Sequence, residues 1–207
     1  MVATLTVSIA LPARRRVLAE VLPASTTRTG VTIVAAAALT AAAAQVAVPV
    51  PGSPVPITGQ TFAVLLTAAA LGPARGLAAQ ALYLVLGIAG LPVFEGFSHG
   101  PGALFGATGG YLAGFLAAAV IVGYGARRGA DRSPVRTLLL FALASAAIYL
   151  IGTTWLCLDT GMSLGAGISA GVTPFLPGDA AKALLAAGLL PGAWRLIGRA
   201  SGGEDGR

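Results

Sequence analysis

Long stretches of the chain are apolar and almost free of charge, and clusters of proline, glycine and arginine interrupt them. Between residues 29 and 126 the only charged side chains are those of Arg75 and Glu95. Apolar runs of about 18 residues or more are typical of transmembrane helices. Dividing the runs at the interruptions predicts six spans, over residues 29–47, 56–72, 76–91, 103–126, 136–158 and 177–198. We therefore expect an all-α integral membrane protein, a bundle of six transmembrane helices.

The composition places the chain in the same class. Hydrophobic residues make up 56% of the 207 residues, charged residues only 10%, and the mean hydropathy is +0.86. About a quarter of the residues in a soluble domain are charged, because charges solvate its surface. This chain has too few to cover a water-facing surface. A soluble enzyme, a nucleic-acid-binding protein and a disordered protein are therefore excluded, and the lipid bilayer is the expected surrounding.

The positions of the twelve arginines predict the orientation of the spans. They lie before the first span, between the second and third, between the fourth and fifth, and at the end of the chain: Arg14, Arg15, Arg16, Arg28, Arg75, Arg127, Arg128, Arg132, Arg136, Arg195, Arg199 and Arg207. With six crossings all of them fall on one side, which the positive-inside rule assigns to the cytoplasm. We expect a cytoplasmic N-terminal segment 1–28, a transmembrane domain 29–198 and a cytoplasmic C-terminal tail 199–207.

The second predicted span is short, because 17 helical residues reach only about 25 Å against a hydrocarbon core of about 30 Å. If this segment did not cross, eight arginines would face four across the membrane. Twelve on one side agrees better with the positive-inside rule, so the segment is kept as a crossing.

The sequence lacks the residues of common catalytic and metal sites. It contains no G-x-x-x-x-G-K-[ST] loop for ATP hydrolysis and no G-x-S-x-G nucleophile motif. Its one histidine, His99, and its one cysteine, Cys157, do not form a metal-binding cluster. We expect neither an enzyme nor a protein with a metal ion or a cofactor.

Two ionisable residues stand at the start of the last span, Asp179 and the only lysine, Lys182. A spacing of three puts both on one face of a helix. An ionisable group costs about 2.5–3.5 kcal/mol at the centre of the bilayer, so it needs a partner, a cavity or a ligand. One interpretation is an ion pair that only caps the helix after Pro177. The other is a ligand site, and an ion pair that opens would satisfy both.

Further polar residues collect on the side opposite the arginines. The proline-rich first outer loop ends in Thr58 and Gln60. Together with Asp179 and Lys182 they predict an outward-facing, partly apolar cup that suits a small amphiphilic molecule. Lys182 would hold a carboxylate, and the other three would hydrogen-bond an amide-like head group.

The sequence Thr108-Gly109-Gly110-Tyr111 in the fourth span allows two interpretations. Gly106, Gly110 and Gly114 are spaced by four, which predicts one helix face that packs closely against a neighbour. A carbonyl-lined ion filter would need an extended segment flanked by pore helices and four-fold assembly. Close packing is the preferred interpretation.

Several segments together resemble one family. They are Pro54-Val55-Pro56-Ile57-Thr58 with Gln60, Leu71-Gly72, Tyr83-Leu84-Val85-Leu86-Gly87-Ile88-Ala89-Gly90-Leu91-Pro92-Val93-Phe94, Thr108-Gly109-Gly110-Tyr111-Leu112 with Gly114-Phe115, and Pro174-Phe175-Leu176-Pro177-Gly178-Asp179 with Lys182. In this order, over about residues 35–190, they resemble the BioY family of biotin transporters.

The resemblance implies a six-helix substrate-binding component of an energy-coupling-factor (ECF) transporter in a bacterial or archaeal plasma membrane. Such a protein captures biotin from outside and works with a transmembrane coupling subunit and two cytoplasmic ATPases. Partners that supply the energy would explain why this chain has no ATP-binding loop. The alternative is a transporter or channel that acts alone on biotin or another small carboxylate.

The resemblance also implies site residues. The family's D-x-x-K falls on Asp179 and Lys182, its T-x-Q on Thr58 and Gln60, and its T-G-G-Y on Thr108, Gly109, Gly110 and Tyr111; Phe94 lies in a loop expected near the ligand. Ala107 stands where the family usually has proline. Glu95, next to Phe94, has no assigned role.

Small residues on the first helix are the expected docking surface for the coupling subunit. Ala37 and Ala41 are spaced by four, so one helix face would be small enough for a close approach. Ordinary packing within the same chain is an equally good interpretation of this pair.

Overall fold

A computed structural model describes residues 15–21, 23 and 25–202. These residues form eight α-helices: α1 Thr26–Ala44, α2 Gln60–Leu71, α3 Pro73–Ile88, α4 Pro101–Phe105, α5 Gly109–Arg127, α6 Pro134–Thr160, α7 Leu164–Gly171 and α8 Leu176–Gly202. Two short strands, β1 Ala47–Val48 and β2 Ile57–Thr58, pair antiparallel in the loop between α1 and α2, with Ala47 opposite Thr58.

The helix starts follow from local sequence. The Ser25 side chain accepts a hydrogen bond from the backbone N–H of Arg28 and caps α1. Proline occupies the first turn of α3, α4 and α6, where its missing N–H costs nothing. Gly161, with a positive φ of 71°, ends α6.

Helix α5 lies at the centre of the bundle, where it contacts α2, α3 and α6. Glycines permit this close packing. A Cβ at Gly110 would overlap the Trp155 side chain, and one at Gly114 would stand 3.0 Å from the Ile148 Cα on α6. The preferred interpretation of the glycine spacing therefore holds for these two residues.

The helices alternate in direction, so the bundle has two distinct ends. Every arginine in the part of the chain that the structure describes lies at or near one end, which we call the arginine end. The opposite end holds the β1–β2 ribbon and the loops after α3 and α6, and we call it the cavity end. Which of the two ends faces the cytoplasm stays a prediction.

Four helical stretches are long and apolar enough to cross a membrane: Thr26–Ala44, Gly109–Arg127, Pro134–Thr160 and Leu164–Arg199, the last comprising α7 and most of α8. The helices Gln60–Leu71 and Pro73–Ile88 are apolar but shorter. Leucine and valine side chains are widely exposed on the outside of the bundle, as expected for a lipid-facing surface. The all-α membrane fold is as predicted, and the count of six crossings stays a prediction.

The structure corrects the predicted elements in three places. The fourth span is broken, because Gly106 is extended (φ −87°, ψ −172°) and separates α4 from α5, so it lies outside the helical glycine face. The second span is helical only from Gln60, because Ile57 and Thr58 pair with β1 in the ribbon. The outer loop before α8 contains an additional helix, Leu164–Gly171.

Candidate binding site

A cavity opens at the cavity end between α2, α5, α6 and α8, beneath the ribbon and the loop after α3. It encloses about 690 Å³, counting its open mouth. Aromatic and aliphatic side chains line most of it, with polar groups at separate points: Val55, Pro56, Thr58, Gln60, Thr61, Phe94, Glu95, Ser98, Ala103, Thr108, Tyr111, Leu112, Phe115, Ile148, Tyr149, Phe175, Asp179 and Lys182. An apolar cavity with a few converging polar groups is typical of a small-molecule site.

Asp179 and Lys182 form an ion pair in the cavity wall, with 2.9 Å between Oδ1 and Nζ. Both side chains are largely buried, 12% and 19% exposed. The Asp179 carboxylate also accepts hydrogen bonds from the hydroxyls of Thr61 (3.3 Å) and Tyr149. The pair thus joins α8 to α2 and α6, and Thr61 and Tyr149 are site residues that sequence reasoning missed.

All three donors of the Lys182 ammonium are engaged. Besides the Asp179 carboxylate, Nζ bonds the Thr58 carbonyl oxygen at 2.9 Å and the Thr61 hydroxyl at 2.7 Å. A lysine has three N–H donors, so none remains for a ligand. The expectation that Lys182 holds a ligand carboxylate therefore requires one of these bonds to exchange.

Gln60 connects the ribbon to the loop after α3. Its Oε1 accepts a hydrogen bond from the Thr58 hydroxyl (2.8 Å), and its Nε2 donates to the Tyr83 hydroxyl (2.7 Å). Tyr83 in turn donates to the Val93 carbonyl oxygen (3.2 Å). The Tyr83 ring meets the Phe94 ring edge-on at 5.4 Å. The predicted residues Thr58, Gln60 and Phe94 therefore belong to one network, and Tyr83 holds it together.

Phe94 owes its position to a glycine on α3. A Cβ at Gly87 would overlap the Phe94 ring, and the ring is buried. Only glycine leaves this space on the helix, so the loop can fold down onto the cavity. A signal for Tyr83 exists in the sequence, since a polar tip within an apolar span needs a hydrogen-bond partner.

An aromatic cluster forms the opposite wall. The ring centroid of Phe175 lies 6.3 Å from that of Tyr111 and 6.5 Å from that of Tyr149. The Tyr111 hydroxyl donates to the Gly171 carbonyl oxygen at 2.8 Å. Its polar group is therefore already satisfied, and the ring is what Tyr111 offers to a ligand.

The T-G-G-Y residues separate in space. Thr108 and Tyr111 line the cavity, whereas Gly109 and Gly110 do not. A Cβ at Gly109 would overlap the Leu104 carbonyl oxygen, and one at Gly110 would overlap Trp155. The two glycines therefore pack α5 against α4 and α6.

Ala37 and Ala41 point into the bundle. Ala37 is 2% exposed, and Ala41 is half-buried against the same core. The structure therefore favours the alternative interpretation of this pair, packing within the chain. The exposed alanines of α1 are Ala35, Ala38 and Ala42, of which Ala38 and Ala42 directly follow Ala37 and Ala41.

Glu95 lines the cavity and makes no side-chain hydrogen bond or ion pair within the described part of the chain. Together with Asp179 and Lys182 it makes up the ionisable acidic and basic groups of the lining. The described residues contain no cluster of three or more His, Cys, Asp or Glu side chains that could hold a metal ion. The site can therefore offer hydrogen bonds, aromatic surface and a net negative charge.

Comparisons with known proteins agree on the family. The BioY family matches residues 14–199. A probable biotin transporter BioY of Pyrococcus horikoshii is 40% identical over 149 residues, which cover 72% of this chain and 85% of the relative. Biotin transporter BioY2 of Lactococcus lactis is 34% identical over 149 residues, covering 72% and 80%.

A solved structure has the same fold. The crystal structure of the S component for biotin from an ECF-type ABC transporter superposes with a TM-score of 0.76 at 22% identity, covering 84% of this chain and 95% of that one. The helix arrangement, the cavity and the family match over most of the chain lead to one conclusion. The protein is a member of the BioY family.

Proposed function

We propose that the protein is the biotin-binding S component of an ECF transporter in the cell membrane, a transport component rather than an enzyme. The observation that carries this proposal is the cavity, which combines aromatic walls with polar groups at separate points. Biotin has an apolar thioether bicycle, a ureido group that donates and accepts hydrogen bonds, and an anionic tail. Relatives named biotin transporters match most of the chain.

The lining offers matching groups to two parts of the ligand, the bicycle and the ureido group. The rings of Phe94 and Phe175, with Tyr111 between α5 and α6, would cover the bicycle. Unused acceptor positions on Gln60 and the hydroxyl of Thr108 are available to the ureido group. Asp179 and Lys182 shape the wall and contribute through the remaining acceptor position of the carboxylate. Gly109 and Gly110 would act indirectly, by positioning Thr108 and Tyr111.

The energy would come from partners, a transmembrane coupling subunit and two cytoplasmic ATPases. The proposal includes six crossings with both termini in the cytoplasm, so that the cavity faces outward. The bounds 1–28, 29–198 and 199–207 remain those of the sequence prediction, with α1 beginning at Thr26. Because Ala37 is buried, a coupling subunit would approach α1 through the exposed Ala38 and Ala42, which are also spaced by four.

Calorimetric titration of the purified protein with biotin tests the binding function. We expect saturable binding at a stoichiometry of one, and weaker binding by Asp179→Asn. Arg128→Gln, an exposed change at the arginine end, is the control and should bind like the wild type. A wild-type protein that is monodisperse in detergent and binds no biotin would contradict the proposal.

The stand-alone transporter remains the second candidate. Purification of the tagged protein from its native membrane separates the two. Recovery of a coupling subunit and ATPases supports the S component, and loss of that recovery in Ala38→Leu/Ala42→Leu would locate the docking face. Biotin uptake by the chain alone in proteoliposomes supports the alternative.

A further inference from the structure

A second cleft lies at the arginine end, away from the cavity. It is bounded by residues 16–21 and 23, the first two turns of α1 and the start of α3, and it encloses about 1020 Å³ counting its open side. Val17, in the first of these segments, is fully buried against the bundle. The segment is therefore fixed in place and forms a wall.

The cleft carries uncompensated positive charge. Arg16, Arg28 and Arg75 line it, and Glu20 is the acidic residue among its lining residues. Glu20 is already bound to Arg127, with 2.6 Å between Oε1 and Nη2. The side chains of Arg16 and Arg75 make no hydrogen bond or ion pair within the described residues. Two guanidinium groups are therefore free to bind an anion.

Two helices begin at this cleft. Arg28 stands in the first turn of α1 and Arg75 in the first turn of α3. Unpaired N–H groups and the helix dipole give both ends a partial positive charge, which adds to that of the arginines. The Thr29 and Thr32 side chains also line the cleft and provide hydroxyl groups.

Exposed apolar side chains lie further along both helices, on their outer faces. Val31 and Val34 on α1 are 61% and 57% exposed, and Leu77, two residues after Arg75, is 36% exposed. The positive cleft thus lies at the depth of the helix ends, and the apolar outer surface of the same two helices lies closer to the middle of the bundle. That order matches the phosphate and acyl chains of a phospholipid in the cytoplasmic leaflet.

We propose that this cleft binds the headgroup of an anionic phospholipid, with Arg16 and Arg75 holding the phosphate. Arg28 has a supporting role, because its guanidinium donates to the Pro23 carbonyl oxygen and ties down the wall. The acyl chains lie along the exposed outer surface of α1 and α3, which includes Val34 and Leu77. This site is separate from the biotin cavity. Its assignment to the cytoplasmic leaflet rests on the orientation in the proposed function, but lipid binding itself does not depend on biotin binding.

Native mass spectrometry of the purified protein, titrated with phosphatidylglycerol or phosphatidylcholine, tests the proposal. We expect discrete binding of phosphatidylglycerol in preference to phosphatidylcholine. Arg16→Gln/Arg75→Gln should weaken phosphatidylglycerol binding about 30-fold, since each basic side chain near an anionic lipid contributes about 1 kcal/mol. Arg128→Gln/Arg136→Gln removes the same charge from exposed positions outside the cleft and should retain binding.

Size-exclusion chromatography and circular dichroism establish that both double variants are folded. Equal loss in the two double variants would mean that charge alone attracts the lipid and would overturn the site. Equal binding of both lipids by the wild type would also overturn it. Binding of inorganic phosphate that displaces phosphatidylglycerol at equal concentration would identify the ligand as free phosphate, which contradicts a lipid site.

Discussion

The two ends of the bundle use ionisable residues in different ways. At the cavity end, Asp179 and Lys182 form an ion pair that faces a cavity and is surrounded by hydroxyl groups. At the arginine end, the Glu20–Arg127 pair, the Trp194–Asp131 hydrogen bond (2.6 Å) and the Arg132 guanidinium 4.0 Å from the Trp194 ring centre tie segments to each other. Similar polar contacts therefore line a candidate ligand cavity at one end and tie segments of the chain to each other at the opposite end.

The two ends also differ in how many hydrogen-bond partners each ion pair requires. Burying two charges is costly, and their attraction alone seldom repays that cost. The Glu20–Arg127 pair lies at the arginine end, with a quarter or less of each side chain exposed. The Asp179–Lys182 pair at the cavity end is more deeply buried. The hydroxyls of Thr61 and Tyr149 and the Thr58 carbonyl oxygen complete its hydrogen bonds. A pair that needs so many partners is typical of a functional position.

The largest effect is expected from Lys182→Ala. It removes three hydrogen bonds and leaves the Asp179 carboxylate buried without its cation, so we expect a loss of about 3 kcal/mol in stability and of biotin binding by more than about 100-fold. Thermal unfolding in detergent and calorimetric titration measure the two effects.

A neutral double variant, Asp179→Asn/Lys182→Met, separates these effects. It removes both charges together, so stability should return toward that of the wild type while biotin binding stays lost. A double variant that binds biotin normally would make the pair a structural lock like those at the arginine end.

Tyr83→Phe tests the network at the cavity end. The change keeps the ring against Phe94 but removes the hydroxyl that links Gln60 to the Val93 carbonyl, so biotin binding should weaken about tenfold. Titration measures the affinity, and Tyr124→Phe, a half-exposed tyrosine on α5, is the control. Unchanged affinity in Tyr83→Phe would mean that the loop after α3 is held by Phe94 alone.

Glu95→Gln tests the charge of the cavity. With Glu95 and Asp179 against Lys182 the lining carries one net negative charge, which opposes the carboxylate of biotin. Removing the Glu95 charge should tighten biotin binding about fivefold, an effect of about 1 kcal/mol. Binding of uncharged biotinamide should stay the same. An equal change for both ligands, or weaker binding of both, would show that Glu95 contacts the ligand by hydrogen bonding instead.

The smallest effect is expected from Asp131→Asn at the arginine end. Burial raises the pKa of Asp131, although the Trp194 hydrogen bond and the nearby Arg132 and Arg15 offset part of the shift. When the pKa of a carboxyl group is higher in the folded protein than in the unfolded chain, its protonation stabilises the fold. This stabilisation is complete at a pH below the unfolded-state pKa, and it disappears as the pH rises through the folded-state pKa. The wild type should therefore lose stability as the pH rises from the unfolded-state pKa of Asp131 to its folded-state pKa, and Asp131→Asn should not.

Thermal unfolding in detergent from about pH 4 to pH 8 measures this difference, which we expect to be at most about 1 kcal/mol. Asp159→Asn, an exposed carboxylate at the other end of α6, should keep the wild-type pH dependence. The same slope in Asp131→Asn and the wild type would mean that the arginines compensate the buried charge fully.

Much of the fold could be predicted because the bilayer imposes a simple pattern. Long apolar runs and the positions of the arginines indicated the helices and their two ends, since both signals are read along the chain. The break at Gly106 and the additional helix α7 could not be predicted in this way. Both lie in short segments rich in glycine, where propensity is weak and packing decides.

The face of α1 was not predictable for a different reason. Alanines occupy positions 35–38 and 41–44, so they surround the helix and give no preferred side. Only the packing of α1 on α2 and α3 buries Ala37 and leaves Ala38 exposed. The candidate site was predictable as a set of residue types, because Asp179, Lys182, Thr58 and Gln60 stand out in an apolar chain.

The sequence by itself determined the membrane class, the family and the residues that gather at the cavity end, because charge is rare in this chain and each polar residue within a span needs a reason. The tertiary structure decided what those residues are free to do. It engages all three Lys182 donors, brings in Thr61, Tyr83 and Tyr149, and removes Gly109 and Gly110 from the cavity wall. Hydrogen bonds between residues more than a hundred positions apart depend on how the helices pack, which no local pattern contains.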